Sequence, residues 1–235
     1  MRPRDEFVNG GYQLGAWIVE NWSRMSLPFA VLMLCSLPVF LTAGNGSLIL
    51  LCTLLPVYMI HQYEEHAHGR FVEFFNSTMG RGYGVLTRAS AFWINILEVW
   101  LAFLVSFYLA TYVALGIAFV PIYLTILNGF THVVASIALR RYNPSLYTSL
   151  LLFLPWGFFL LIYFNAITRF SLSFNGIGLL TGMIGHVVIV VYALRRRGKL
   201  ESGTFDKGPK PTLDRVTKAD RRSSYNTCCA RREAF

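Results

Sequence analysis

The chain has 235 residues, of which 54% are hydrophobic and only 14% are charged, yet its formal net charge is +9. A soluble domain usually carries about 25% charged residues, so this composition excludes an ordinary soluble domain and predicts a membrane protein. The positive charge then needs an explanation other than nucleic-acid binding, and we expect no nucleic-acid partner.

Six apolar stretches follow one another along the chain, and a membrane-spanning helix requires ~20 mostly apolar residues. Residues 27–43 form the first, and residues 48–60 form the second, which leads directly into the polar sequence His61–Arg70. The remaining stretches predict helices at 88–112, 117–139, 146–168 and 174–194. We therefore predict an all-α membrane bundle of six transmembrane helices, or seven if an N-terminal segment around residues 11–22 inserts.

This pattern divides the chain into three parts. Residues 1–26 are predicted to form a cytoplasmic or interfacial segment, residues 27–197 the helix bundle, and residues 198–235 a basic, disordered tail. The adjacent cysteines Cys228 and Cys229 of the tail are candidates for palmitoylation, although two unmodified cysteines fit equally well.

The basic residues predict the orientation of the bundle. Twenty of the 21 Lys and Arg residues fall on one side of the six-helix arrangement, and Arg169 falls on the other. Because cytoplasmic loops carry an excess of Lys and Arg, we expect both termini in the cytoplasm. The predicted location is an endoplasmic reticulum or other internal membrane, if the source is eukaryotic, and the lipid bilayer is the first expected partner.

Ionisable residues inside the apolar body are the candidates for chemistry, because such groups are costly at membrane depth. His61, Glu64 and Glu65 share one helix face at spacings of three and four residues. At a rise of 1.5 Å per residue, polar residues of four helices fall in one layer ~10–15 Å from the cytoplasmic edge. The predicted site comprises Glu64, Glu65, His61, His132, His186, Asn128 and Glu98. His66 and His68 are expected in a solvated surface loop.

The sequence His61-x-x-Glu64-Glu65 after an apolar span resembles a family of small integral membrane proteins named for an HxxEE motif. Members of that family usually carry the motif near the end of an early helix, with Asn and His in later helices. Asn128, His132 and His186 resemble those later elements. The resemblance covers roughly residues 30–195 and implies a fold and a site, but no reaction, because the role of the family is undefined.

The first functional hypothesis is intramembrane acid/base catalysis without a cofactor. One of two adjacent buried carboxyls, Glu64 or Glu65, would stay protonated and donate its proton to a hydrophobic, isoprenoid-type substrate. Aromatic rings such as those of Trp93, Trp100 and Trp156 would stabilise a carbocation. The chain is also similar in size and span number to the small integral-membrane terpene cyclases, which implies cyclase or isomerase chemistry, although no motif aligns.

Two alternatives remain open from the sequence. In the first, Zn or Fe bound by histidines and a glutamate (His61, Glu64 or Glu65, His132 and His186) activates water to hydrolyse a lipid or a membrane peptide. This pattern loosely resembles the CAAX-type intramembrane proteases, although Arg70 stands at a different spacing from the Glu pair. In the second, the protein is a transporter or scaffold whose polar layer only joins helices.

Overall fold

A computed structural model describes residues 4–41 and 44–203. Six of its helical stretches are long and apolar enough to cross a membrane, and the described residues contain no β-strand, so the predicted all-α bundle is confirmed. We number these helices in chain order. Their bounds are Arg4–Leu41 (α1), Gly46–Thr78 (α2), Arg88–Tyr112 (α3), Leu115–Leu139 (α4), Leu146–Ile167 (α5) and Leu172–Glu201 (α6).

Helix α1 is longer than the apolar run that predicted it. It begins at Arg4, so residues 11–22 form the first part of this helix rather than a separate segment, and its spanning part is Gln13–Val39. Pro28 and Pro38 lie inside it, which membrane helices tolerate when neighbouring groups take over the freed hydrogen bonds. The buried Ser26 hydroxyl contacts the Ser23 and Met59 carbonyl oxygens at 2.7 and 2.9 Å, which links α1 to α2.

Helix α2 carries the HxxEE motif in the last turns before a kink. The Asn45 side chain caps its start by accepting a hydrogen bond from the Ser47 amide at 2.9 Å. The helix continues past the apolar run that ends at residue 60 and through the motif, as the predicted common helix face of His61, Glu64 and Glu65 requires. His68 and Gly69 then adopt left-handed backbone conformations, with φ of 66° and 76°, and kink the chain into the final turns Arg70–Thr78.

Helices α3 to α5 agree closely with prediction. Two of them contain a wider π-helical stretch, Asn95–Trp100 in α3 and Ser149–Phe153 in α5. Such stretches are rare and frequently occur at functional sites. Both lie beside the HxxEE motif in the folded chain: Asn95 contacts His66, and the Phe153 ring stacks on His61 at 3.8 Å.

Helix α4 is the centre of the bundle and packs chiefly against α5 and α6, while α1 packs against α2. Helix α6 continues to Glu201, past the predicted stop at the arginine triplet 195–197. The rest of the predicted tail, including both of its cysteines, lies outside the described residues. The outward faces are rich in exposed apolar side chains, for example Ile177, Leu180, Ile184 and Val187 on α6. Because large apolar surfaces of this kind are covered in a stable protein, the chain is a multi-pass membrane protein in a lipid bilayer.

Candidate functional site

Glu65 is a buried carboxylate surrounded by three imidazole rings, with 5% of its surface exposed. Its Oε2 atom lies 3.8 Å from His61 Nε2 and 3.2 Å from His66 Nε2, and its Oε1 atom lies 3.5 Å from His132 Nε2. Helix α2 supplies Glu65, His61 and His66, and α4 supplies His132. We call these four residues the Glu65 cluster.

The outer nitrogen of His132 is held by a hydrogen-bond acceptor. His132 Nδ1 lies 3.3 Å from Asn143 Oδ1, and the amide nitrogen of Asn143 donates to the His132 carbonyl oxygen. Because Asn143 Oδ1 can only accept, the Nδ1 atom carries a hydrogen. In the neutral ring, Nε2 then presents a lone pair to the Glu65 carboxylate.

The outer nitrogen of His61 is fixed in the same way through Thr148. The Thr148 hydroxyl donates its single hydrogen to Glu64 Oε2 at 2.6 Å, and the same oxygen lies 2.9 Å from His61 Nδ1. The hydroxyl therefore accepts from Nδ1–H, which leaves the lone pair of the neutral ring on Nε2. His61 Nε2 is buried and has no hydrogen-bond partner among the described residues.

Two nitrogen lone pairs thus face one carboxylate, which is an arrangement that a cation would satisfy. The ligand atoms of His61, Glu65 and His132 all lie within 4.8 Å of one another. Ligands of a tetrahedral zinc ion are separated by about 3.3 Å, given bonds of 2.0–2.1 Å. Small side-chain movements would therefore bring these three residues into coordination, and hydrogen bonds that orient the outer nitrogen are typical of metal-binding histidines.

Glu64 faces away from Glu65 and towards the start of α5. Its carboxylate accepts hydrogen bonds from the Tyr142 hydroxyl at 2.7 Å, from the Thr148 hydroxyl, and from the backbone amides of Tyr147 and Thr148 at 3.2 and 2.8 Å. Burial, together with the hydrogen bond to Glu64, raises the pKa of Tyr142 to about 12. The two glutamates of the motif therefore have different surroundings: Glu65 lies in the cluster, and Glu64 reaches it only through Thr148 and His61.

A mainly apolar cavity of about 520 Å³ adjoins the cluster. Three other predicted site residues line its wall, namely Glu98, Asn128 and His186. The Asn128 amide donates to the Tyr58 hydroxyl oxygen at 2.5 Å, and His186 Nδ1 lies 2.8 Å from its own helix carbonyl at Gly182. None of these three lies within ion-pair distance of Glu65 in the described part of the chain. These three residues, which were predicted to lie at one depth, therefore line one cavity but do not contact the Glu65 carboxylate.

His66 is the clearest departure from the sequence prediction. It was expected in a solvated loop, yet only 7% of its surface is exposed, because the Trp22 and Phe71 rings pack on it at centroid distances of 5.1 and 5.2 Å. His68, in contrast, is exposed as expected. Because Trp22 belongs to another helix, its packing on His66 leaves no local signal in the sequence.

A buried hydrogen-bonded chain leads to His66 and was also missed. The Trp100 indole N–H donates to Gln62 Oε1 at 2.8 Å, and the Gln62 amide donates to Asn95 Oδ1 at 2.8 Å. Asn95 Nδ2 in turn lies 3.1 Å from His66 Nε2. Gln62 and Asn95 are strongly polar residues within apolar spans, and that position was the available signal.

The fold and site together define a polytopic membrane protein built around a buried histidine–carboxylate cluster. Residues 52–160 match the family model described as a protein of unknown function with HXXEE motif. The family resemblance drawn from His61, Glu64 and Glu65 is therefore confirmed over this part of the chain. Neither the curated proteins nor the solved structures include one that matches the chain.

Proposed function

We propose that the protein is an intramembrane hydrolase that uses a divalent metal ion, Zn²⁺ or Fe²⁺, and acts on a lipid-like substrate. The observation that carries this proposal is the orientation of His61 and His132, whose Nε2 lone pairs face the Glu65 carboxylate. Two imidazoles and one carboxylate, with a coordination position left for water, are the ligand set of several zinc hydrolases and of non-haem iron enzymes.

A metal ion in this site would lower the pKa of a bound water molecule and so supply the nucleophile. In the proposed reaction, water adds its oxygen to the acyl carbon of an ester or amide and its hydrogen to the leaving oxygen or nitrogen. The Tyr58 hydroxyl accepts from Asn128 and so has its own hydrogen free to donate to an oxygen that gains negative charge. The cavity volume falls within the range of small-molecule sites, and its apolar wall suits a hydrocarbon chain.

Metal analysis of the purified protein tests this proposal. We expect about one equivalent of Zn or Fe in the wild type and loss of that metal in His132→Ala. His186→Ala is the matched control, because His186 lines the same cavity without approaching Glu65, and it should keep its metal. Hydrolysis of 4-nitrophenyl palmitate should require the metal and should exceed hydrolysis of the short-chain acetate ester. A metal-free wild type, or full metal retention in His132→Ala, would overturn the proposal.

The second candidate function is the acid-catalysed cyclisation or isomerisation of an isoprenoid. Glu98 favours it, because this carboxyl lines the apolar cavity against Gly185 and has no hydrogen-bond or ion-pair partner within the described ranges. Natural enzymes keep general acids in apolar sites of this kind. Glu64 is less suited, since its oxygens already accept four hydrogen bonds. Cyclisation of a polyprenyl epoxide by metal-free protein, lost in Glu98→Gln but kept in Glu64→Gln, would favour this candidate over the hydrolase.

We also propose that both termini face the cytoplasm of a cell in which the protein resides in an internal membrane. Support comes from the one-sided basic residues, several of which meet at one end of the bundle. Arg141 Nη2 lies 3.4 Å from Ser77 Oγ, and Arg197 Nη1 lies 3.0 Å from the Met79 carbonyl oxygen. Protease digestion of sealed microsomes should remove epitope tags from both termini, and protection of either tag would contradict this orientation.

A further inference from the structure

A second, polar pocket of about 350 Å³ lies beside the Glu65 cluster. It is bounded by residues 19–24 of α1, by the kink of α2 at His68 and Gly69, and by the first turn of α3. Its charged and ionisable lining residues are Arg24, Arg88, His66, His68 and one acid, Glu20. The pocket shares His66 and Ala91 with the apolar cavity. The His66 ring therefore stands between a polar compartment and an apolar one.

The ring of His66, which lines the polar pocket, has one buried nitrogen without a hydrogen-bond partner among the described residues. Its Nε2 atom faces Glu65 and Asn95, which line the apolar cavity but not the polar pocket. The two nitrogens of an imidazole point away from each other, so Nδ1 lies on the side of the ring turned away from Glu65 and Asn95. His66 Nδ1 is buried and lacks a hydrogen-bond partner within the described part of the chain. Buried polar atoms without partners are rare in native proteins, and a ligand that accepts from Nδ1–H would satisfy this one.

Two guanidinium groups stand at the same pocket. The Arg88 side chain packs over Gly69, where an added Cβ would lie 3.3 Å from both Nε and Nη2. Gly69 has a φ of 76°, a conformation that glycine adopts without strain. Among the side chains of residues 13–39 and 44–203, Arg88 has no hydrogen-bond or ion-pair partner, and Arg24 has only a 3.4 Å contact with Asn21 Oδ1. Guanidinium groups that are not already paired bind phosphate oxygens well, because their fork of N–H donors matches the anion.

We propose that this pocket binds the anionic phosphate head group of an amphiphilic substrate whose hydrocarbon chain occupies the apolar cavity. Arg88 and Arg24 would bind the phosphate oxygens, and His66 Nδ1–H would donate to the innermost one. The inference rests on the proposed function in one respect, namely that the apolar cavity holds the substrate. It deepens that function by placing the acyl bond of the substrate, which joins the hydrocarbon chain to the part that carries the phosphate, next to the Glu65 cluster.

Binding measurements with three probes test the assignment. Hexadecyl phosphate, hexadecanol and inorganic phosphate are titrated by calorimetry into the full-length protein in neutral detergent micelles. We expect hexadecyl phosphate to bind most tightly and Arg88→Gln to weaken its binding about tenfold or more, because the variant loses a charge-assisted hydrogen bond to the phosphate. Arg81→Gln is the matched control, because Arg81 is exposed in the connection that precedes α3 and does not line the pocket. Its substitution should leave the affinity for hexadecyl phosphate unchanged. Arg24→Gln provides a second variant on the other wall.

Each other outcome has a defined meaning. Wild-type affinity in both Arg88→Gln and Arg24→Gln would overturn the head-group site. Inorganic phosphate that binds as tightly as hexadecyl phosphate would identify a site for a free anion and overturn the amphiphile. Metal content of the same preparations separates this inference from the hydrolase. A metal-free protein that shows the arginine effect retains the head-group site without the hydrolase, and a metal-bound protein without that effect retains the hydrolase alone.

Discussion

Substitution of Gln62 by leucine tests whether the buried polar chain behind His66 holds the site together. Gln62 is completely buried, and it joins α2 to α3 through its hydrogen bonds with Trp100 and Asn95. Leucine has a similar volume but no polar atoms, so the change removes both hydrogen bonds while the packing is largely retained. Asn95 would then be held only by the Ala91 carbonyl and His66.

The structure sets limits on the expected loss of stability. Two interhelical hydrogen bonds at the average strength found in membrane proteins, about 0.6 kcal/mol each, set a lower limit of about 1 kcal/mol. Leaving a buried polar group unsatisfied costs about 1–3 kcal/mol, which would give up to about 6 kcal/mol for two groups. Trp100 is only half-buried and has access to other partners, whereas Asn95 is 8% exposed. We therefore expect a destabilisation of about 2–3 kcal/mol, most of it from Asn95.

Equilibrium unfolding in mixed dodecylmaltoside and dodecyl sulfate micelles measures this loss directly. Gln13→Leu is the matched control, because Gln13 is exposed on α1 and its substitution should change the free energy of unfolding by less than about 0.5 kcal/mol. The loosened His66 should also weaken metal binding by about tenfold. If Gln62→Leu is no more destabilising than Gln13→Leu, the reasoning about the buried chain is refuted.

Further predictions concern the role of Glu64 and the packing of α6. Glu64→Gln should weaken metal binding by about tenfold, because an amide cannot replace both carboxylate oxygens and the Thr148 hydroxyl is no longer held in its orientation. Metal titration measures this affinity. An unchanged affinity would contradict the argument that Glu64 orients His61 through Thr148. Gly178→Ala should cost about 1–3 kcal/mol in the same unfolding assay, because an added Cβ would lie 2.7 Å from the Phe119 backbone. Gly176→Ala is the control and should be neutral or stabilising, because nothing lies within 4 Å of its added Cβ. Equal losses of unfolding free energy in Gly178→Ala and Gly176→Ala would contradict the packing argument.

The positions of most helices could be predicted from the sequence because their limits are local. Helices α3 and α5 begin at the predicted residues 88 and 146, where Thr87 forms a capping box with Ser90 and where Pro144 ends the preceding connection. Helix α1 was predicted too short, because the polar residues before Leu27 lower the hydropathy, although Gly10, Gly11 and Gly15 among them do not end the helix. The apolar run 27–43 therefore missed the first half of the spanning part, which is Gln13–Val39.

The sequence by itself determined that His61 and Glu65 share a face of one helix, because a spacing of four residues is set by backbone geometry alone. It did not determine which of the adjacent glutamates faces the second histidine, His132, because that depends on how α2 is rotated against α4 and α5. Tertiary structure also decided the burial of His66, which follows from packing against Phe71 of the same helix and against Trp22 of α1, far away along the chain. Periodicity within a helix is local, whereas the choice among neighbouring side chains is made by packing between helices.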